Sequence, residues 1–291
     1  MMWRDPSLAP VVAPSDRADP EVARHPASTV EAPSSTSAPP RWAPPELGPA
    51  DVHVWTVRLN IARSDDERSH ASLSDDERAR ARRSPFADVR RRFAVCRASL
   101  RAILAGYLDG DPLAIAFRYG PFGKPRLDPA RHPMSLRFNV SHADDLALVA
   151  VARDRELGVD VERLREVDGL DEIAARCFGL AERDTVRRAD PASRLSAFFR
   201  AWTLKEAYLK ACGTGMSGAL DRIDAAAGNG LLRLLDVESG AQRWWSARAL
   251  DVGPGYVAAL AVERQARPIS TVTLRPWPAH RSEPVAGAGD E

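Results

Sequence analysis

The chain has 291 residues, enough for one large domain or two small ones. Its 41 basic and 40 acidic residues leave a formal charge of +1, which gives no overall attraction to nucleic acid or to an anionic membrane. The three cysteines are widely spaced and form no C-x-x-C pair, so neither a disulfide framework nor a zinc site is expected. No stretch approaches the roughly 18 apolar residues of a membrane span. We therefore expect a cytoplasmic monomer with neither nucleic-acid nor membrane partners.

The two ends of the chain have a composition that is typical of disorder. Residues 1–48 carry close to half of the 23 prolines among Ala, Ser and Thr, with few apolar residues to offset the entropy lost on ordering. Residues 278–291 have a similar composition. We expect both segments to be disordered tails.

Residues 49–152 predict an α+β half. The stretch "DVHVWTVRL" alternates apolar and polar residues like a strand, and "SLSDDERARARRS" is typical of a capped, highly charged helix start. The following "PFADVRRRFAVCRASLRAILAGYL" has helical spacing of its apolar residues and is expected to end at Gly106 and Gly110. The arginines from Arg78 to Arg101 are expected to form solvated helix faces.

Residues 153–277 predict a second α+β half. "LALVAVA" and "LGVDVE" indicate an antiparallel hairpin whose turn spans residues 153–156. A long helix from Leu195 to Ala211 follows, and then strands "WWSARAL", "YVAALAV" and "STVTLRP". The fold class is therefore α+β, a pair of similar subdomains in one chain.

The expected hairpin brings polar groups together at one end of the sheet. It places the loop that holds Ser141 and His142 beside Asp160 and Glu162. Side-chain alternation puts the two carboxylates on one face, where their repulsion favours a divalent cation with oxygen ligands. The alternative is an exposed strand face that is neutralised by nearby arginines such as Arg163.

The long helix carries two of the chain's three lysines, and a glutamate at the centre of its apolar stripe. Glu206 lies on this stripe, and Lys205 and Lys210 flank it. A buried carboxylate has to be neutral, ion-paired or metal-bound, so Glu206 could join Asp160 at a magnesium site. A solvated pair of Glu206 with Lys210, one helical turn apart, explains the pattern equally well.

Four stretches, in this order, resemble the Sfp-type 4′-phosphopantetheinyl transferases: "FGKPRL", "FNVSHADDLALVAV", "GVDVE" and "FFRAWTLKEAYLKACGTGM". The last is similar to the signature W-x-x-K-E-x-x-x-K, and the resemblance covers roughly residues 50 to 275. It implies a pseudo-twofold pair of α+β halves. It also implies Mg²⁺-dependent transfer of the phosphopantetheine arm of coenzyme A to a serine of an acyl or peptidyl carrier protein, with release of 3′,5′-ADP.

The resemblance also implies roles for individual residues. Asp160, Glu162 and Glu206 would bind Mg²⁺, with Glu206 and Lys210 as the catalytic residues. The residues that would bind coenzyme A are Arg92, Lys124, Ser141, His142, Lys205 and Lys210. Other arginines lie near Arg92 in the sequence, so which of them contacts coenzyme A stays open. The carrier protein could serve fatty-acid, polyketide or nonribosomal peptide synthesis.

Two other classes of protein remain open at this point. A different Mg²⁺-dependent phosphoryl or nucleotidyl enzyme would need a glycine-rich phosphate loop, and the sequence contains neither G-x-G-x-x-G nor G-x-x-x-x-G-K-[ST]. A carrier-protein binder that has lost activity is the second class, and four intact residues argue against it: Asp160, Glu162, Glu206 and Lys210.

Overall fold

The computed structural model of the chain describes residues 42–61, 63–132, 136–214, 231–235, 242–266 and 268–278. The first-half elements are β1 (Asp51–Arg58), α1 (Arg63–Ala71), α2 (Asp75–Ala81), α3 (Ala87–Leu108), β2 (Phe117–Tyr119), β3 (Pro125–Leu127), β4 (Leu136–Ala143) and β5 (Leu146–Arg153). The later elements are β6 (Leu157–Arg163), α4 (Leu170–Cys177), α5 (Leu180–Arg188), α6 (Pro191–Cys212), β7 (Leu231–Leu235), β8 (Gln242–Leu250), β9 (Tyr256–Glu263) and β10 (Thr271–Pro276).

Two four-stranded sheets repeat one arrangement. The first has the order β10-β1-β5-β4 and the second β6-β9-β8-β7. In each sheet, the first strand of the half pairs in antiparallel fashion with a later strand: β1 pairs with β5, and β6 pairs with β9. Three helices follow each opening strand, and the third is 22 residues long in both cases. The structure thus confirms the α+β class and the pair of similar halves.

The layers are α3, the first sheet, the second sheet and α6. Strand alternation gives each sheet two apolar faces, and both are covered. One face of the first sheet packs against α3 around Trp55 and Val149. Its other face, with Val54, meets Val159 of the second sheet in a shared core. The far face of the second sheet packs against α6 around Ala207. No helix in these described ranges has the length and apolar content to cross a membrane.

The predicted hairpin between "LALVAVA" and "LGVDVE" is wrong. β5 pairs with β1 and β4, whereas β6 pairs with β9 in the other sheet. The hairpin is instead β4–β5, whose turn includes Asp144 with a positive φ of 46°. Ser141 and His142 are consequently residues of β4 and do not lie in a loop.

The expected domain limits differ from the structure at both ends. Residues 42–48, assigned to the tail, pack against the first half: Leu47 is buried, and the Trp42 ring lies edge-on to Trp55 and Trp277. β10, assigned to the second half, extends the first sheet parallel to β1. The expected disorder of residues 1–41 and 279–291 lies outside the described residues.

Helix α3 also departs from expectation in two respects. It continues through Gly106, over which Trp42 lies so closely that a Cβ would be 2.4 Å from its ring, and it ends at Asp109 with φ 48°. Two of its arginines are buried, not solvated, because Arg97 and Arg101 both bind the buried carboxylate of Glu77 on α2.

Candidate active site

A hydrogen-bonded cluster of three side chains lies where β4, β6 and α6 meet. The carboxylate Oδ1 of Asp160, on β6, accepts a hydrogen bond from Lys210 Nζ on α6 at 2.6 Å and another from Ser141 Oγ on β4 at 3.0 Å. Lys210 Nζ also donates to Ser141 Oγ at 2.8 Å. Asp160 is 3% exposed, whereas the Lys210 side chain keeps 32% of its surface exposed. Part of the Lys210 side chain is therefore exposed, while its ammonium contacts the buried Asp160 and Ser141.

Side chains of β4 join the two halves at this point. β4 and β6 are both edge strands in the described sheets, and an edge strand has backbone groups without ladder partners. Asn139 Oδ1 accepts the N–H of Val159 at 2.9 Å, and Ser141 Oγ accepts that of Val161 at 3.4 Å. Asn139 is not among the predicted site residues, although alternation in "NVSH" places it on the same strand face as Ser141.

Gly158 permits the close crossing of β6 and α6. A Cβ at this residue would lie 2.0 Å from the carbonyl oxygen of Ala207 and 2.4 Å from the amide nitrogen of Ala211. Only a residue without a side chain lets the two backbones approach this far. The crossing brings Asp160, two residues later, against Lys210.

The carboxyl group of Glu206 is partly protonated near neutral pH. Burial raises its pKa to about 7, and the charges of Asp160 and Glu162 act in the same direction, whereas Lys210 opposes them. Burial alone would lower the pKa of Lys210, but the three carboxylates Asp160, Glu206 and Glu162 raise it, so its ammonium stays charged. The structure thus places four side chains close enough for their charges to shift one another's pKa: Asp160, Glu162, Glu206 and Lys210.

Two oxygens of this group fit a cation. Within the described residues, Asp160 Oδ2 and Glu206 Oε1 are buried without a hydrogen-bond partner, which is costly for a carboxylate unless something binds it. The Glu162 carboxylate is held by Arg165, at 3.2 Å from both terminal nitrogens, and burial raises its pKa. No group of three or more His, Cys, Asp or Glu side chains in the described ranges is arranged to hold a metal ion. Carboxylate oxygens such as these two are typical ligands of Mg²⁺.

Two further residues of the predicted coenzyme A set, His142 and Arg92, also lie in the first half. His142 follows Ser141 on β4, where alternation directs it to the opposite face of the strand. Arg92, on α3, donates from Nε and from a terminal nitrogen to Asp145 at 2.9 Å, in the turn that follows β4. Arg92 is about a third exposed, which leaves part of its guanidinium open to a ligand.

The other two lysines lie apart from the cluster. Lys205 is 1% exposed, pairs with Glu182 Oε2 at 2.7 Å, and lies over the ring of Phe178. Lys124 Nζ donates to Glu156 and to two backbone carbonyls, and its side chain is 8% exposed. Sequence reasoning missed the partners Glu182 and Glu156, because a pairing between distant segments leaves no local pattern.

Comparison with known proteins agrees with this geometry. Residues 156–261, which include β6 and α6, match the model of the 4′-phosphopantetheinyl transferase superfamily. Over 176 residues the chain is 42% identical to the 4′-phosphopantetheinyl transferase HetI of Nostoc sp., covering 60% of this chain and 74% of that relative. The chain belongs to the 4′-phosphopantetheinyl transferase family.

Other members of this family match longer or shorter parts of the chain. A phosphopantetheinyl transferase of Thraustochytrium sp. is 29% identical over 239 residues, which is 75% of this chain and 81% of that protein. The 4′-phosphopantetheinyl transferase gsp of Aneurinibacillus migulanus is 36% identical over 102 residues, 35% of this chain and 40% of that protein. The match to the Thraustochytrium protein is therefore longer than residues 156–261, the segment that carries Asp160 and Lys210.

Proposed function

We propose that this protein transfers the 4′-phosphopantetheine group of coenzyme A to a serine of an acyl or peptidyl carrier protein and releases 3′,5′-ADP. The observation that carries the proposal is the cluster of Asp160, Glu206 and Lys210 at the crossing of β6 and α6, in a chain of this family. Asp160, Glu162 and Glu206 are the residues that would hold Mg²⁺. When bound, Mg²⁺ supplies positive charge that offsets the charge of the pyrophosphate.

The reaction is a displacement at phosphorus. The carrier serine oxygen forms a bond to the β-phosphorus of coenzyme A, and the bond from that phosphorus to the bridging oxygen breaks. The electron pair of the broken bond leaves with 3′,5′-ADP. Glu206, whose carboxyl group lies in the same cluster as Asp160 and Lys210, is the candidate acceptor for the serine proton.

The remaining residues of the cluster bind coenzyme A or hold the groups that bind it in position. Lys210, a third exposed and charged, offers its ammonium to a phosphate oxygen and offsets the charge that develops there. Asp160 and Ser141 fix the position of that ammonium through the hydrogen bonds at 2.6 and 2.8 Å. We propose His142 and the open part of Arg92 as further contacts to coenzyme A.

The test uses the purified chain with coenzyme A, Mg²⁺ and a panel of apo-carrier proteins from fatty-acid, polyketide and nonribosomal peptide synthesis. We expect at least one carrier to gain the mass of the phosphopantetheine arm on its serine, and excess EDTA to stop the gain. No mass gain with any carrier would contradict the transferase function. Undiminished transfer in EDTA would contradict only the magnesium site.

We also propose that the protein works as a monomer in the cytoplasm. Its three cysteines, Cys96, Cys177 and Cys212, form no disulfide within the described part of the chain, as is usual for proteins in a reducing compartment. Light scattering after size exclusion would test the monomer, and a mass of two chains would contradict it.

A further inference from the structure

The side chain of Lys124 lies in a confined site and is 8% exposed. Lys124 lies between β2 and β3 in the first half, yet the three acceptors of its ammonium lie in the second half. Nζ donates to Glu156 Oε2 at 2.9 Å, to the Leu157 carbonyl at 3.2 Å and to the Ala211 carbonyl at 2.8 Å. A lysine ammonium has three N–H donors, so these three acceptors use its whole donor capacity.

The two carbonyls belong to the backbones that cross at Gly158. Leu157 immediately precedes Gly158 on β6, and Ala211 is the residue on α6 whose amide nitrogen would lie 2.4 Å from a Cβ at position 158. Ala211 is in the last turn of α6, which ends at Cys212, so its carbonyl lacks an intrahelical partner. A cation at this end of a helix also interacts favourably with the helix dipole.

Lys210 lies in the same turn as Ala211. A shift of this turn away from β6 would lengthen the 2.6 Å contact between Lys210 Nζ and Asp160 Oδ1. Displacements of about 1 Å at a reacting group can cost on the order of a hundredfold in rate.

We propose that Lys124 is a positioning residue: its ammonium holds the last turn of α6 against β6, so that Lys210 meets Asp160, and this ammonium does not bind coenzyme A. This role differs from the coenzyme A contact that the resemblance implies for Lys124. Its effect on turnover rests on the proposed transferase function, whereas its effect on the backbone does not.

Two variants and one matched control test the role. K124M removes the charge and all three donors but keeps an unbranched side chain, and K124R keeps the charge but spreads its donors over a plane. R126M is the control, because Arg126 binds the same Glu156 carboxylate without reaching α6.

The first measurement is hydrogen exchange of backbone amides, without any substrate. In K124M we expect amides of residues 207–212 and 158–161 to exchange at least about tenfold faster than in the unaltered chain, with α3 unchanged. R126M is expected to match the unaltered chain in both segments. Unchanged exchange at the end of α6 in K124M would overturn the proposal.

The second measurement separates binding from turnover. We expect K124M to lower kcat at least about tenfold at saturating coenzyme A, with the Kd of coenzyme A, measured by calorimetry, within about threefold. K124R is expected to recover only part of kcat. A Kd that rises about tenfold with kcat preserved would overturn the positioning role and restore the binding role.

Two further outcomes are a failure of K124M to fold and an absence of transfer by the unaltered chain. If K124M fails to fold while R126M folds, the structural contact is supported, and K124R then provides the comparison of kcat with Kd. If the unaltered chain transfers nothing to any carrier, the transferase function fails, while the exchange measurement still decides whether Lys124 holds α6.

Discussion

Lysine occupies only three of the chain's 41 basic positions, and in each the ammonium lies in a confined site. Lys124 donates to three acceptors, Lys205 is 1% exposed beside Glu182, and Lys210 donates to two side chains at one point. An ammonium is a compact charge whose donors radiate from one atom, whereas a guanidinium is a wide plane. The sites therefore favour lysine for steric reasons, in a chain that otherwise uses arginine.

Lys210→Arg tests this argument at the proposed catalytic centre. The substitution keeps the charge and the helix propensity, but the guanidinium cannot place one nitrogen within 2.6 Å of Asp160 and 2.8 Å of Ser141 without moving the chain. We expect kcat to fall at least about tenfold, a barrier increase of about 1.4 kcal/mol. Steady-state kinetics with a carrier that the protein modifies would measure it. Turnover equal to that of the unaltered chain would mean that charge alone suffices.

Asp160→Asn tests the charge of the buried carboxylate. The amide oxygen can still accept from Ser141, but the anion that holds Lys210 is lost and so is the oxygen available to a cation. We expect turnover to fall on the order of a hundredfold, with circular dichroism unchanged. The control is Asp144→Asn, in the exposed β4–β5 turn, which should remain within about twofold. An active Asp160→Asn protein would remove Asp160 from the mechanism.

At the scale of elements, the site depends on one strand and one helix that cross in backbone contact. β6 contributes Asp160 and Glu162, and α6 contributes Glu206 and Lys210. β4 joins them from the first half through Asn139, which binds the backbone of β6. The geometry of the proposed site is therefore set by how three elements pack, because no single element holds all the groups.

Gly158→Ala tests the crossing itself. The added methyl group would lie 2.0 Å from the Ala207 carbonyl oxygen, so β6 and α6 have to separate. We expect a loss of about 1–3 kcal/mol in the free energy of unfolding, measured by urea titration, and a lower kcat. Gly110→Ala is the control, since the nearest atom to its Cβ would be 3.8 Å away. Equal losses in the two variants would contradict the role of close approach.

The elements were largely predictable from the sequence, whereas their partners were not. Strict alternation predicted β1, and helical spacing predicted α3 and α6. The same local pattern suggested a β5–β6 hairpin, but β6 pairs with β9, about 100 residues later, and no local signal reports that choice. The predicted closeness of Ser141 to Asp160 is correct for another reason, since β4 and β6 meet edge to edge.

Buried ion pairs were the part of the structure that was hardest to predict from the sequence. Glu77 binds Arg97 and Arg101 across a gap of 20 and 24 residues, and Lys124 binds Glu156 across 32. Each of these side chains is of a type that is usually solvated, so the sequence favours an exposed position. Only the packing of helix on helix, or of one half on the other, shows that they are buried together.

At the scale of the whole molecule, segments from both ends of the described chain complete the first half. β10 adds a parallel strand beside β1, and Trp277 follows it. Trp42 packs edge-on to Trp277, with ring centroids 4.5 Å apart, and to Trp55 at 5.1 Å. Leu47 is 4% exposed, and its carbonyl accepts a hydrogen bond from Arg153 at 2.9 Å. The first half is thus stabilised by segments before β1 and after β9.

Shortening the chain at its start tests whether residues 42–48 stabilise the first half. A protein that begins at residue 42 should match the full chain in Tm and in turnover, because residues 1–41 have too few apolar residues to contribute to a core. A protein that begins at residue 49 loses Trp42 and Leu47, and deletion of a large buried side chain costs about 3–5 kcal/mol. For a domain of this size we expect Tm to fall by roughly 10 °C.

Calorimetry of the two shortened proteins measures the difference in Tm, and turnover well below both melting temperatures is the control. Turnover there should be equal, since Asp160, Glu206 and Lys210 lie in the second half, on the far side of the shared core from Trp42. Equal melting temperatures would contradict a structural role for residues 42–48. Loss of turnover on removal of residues 1–41, with Tm unchanged, would instead assign the proline-rich segment a part in the reaction.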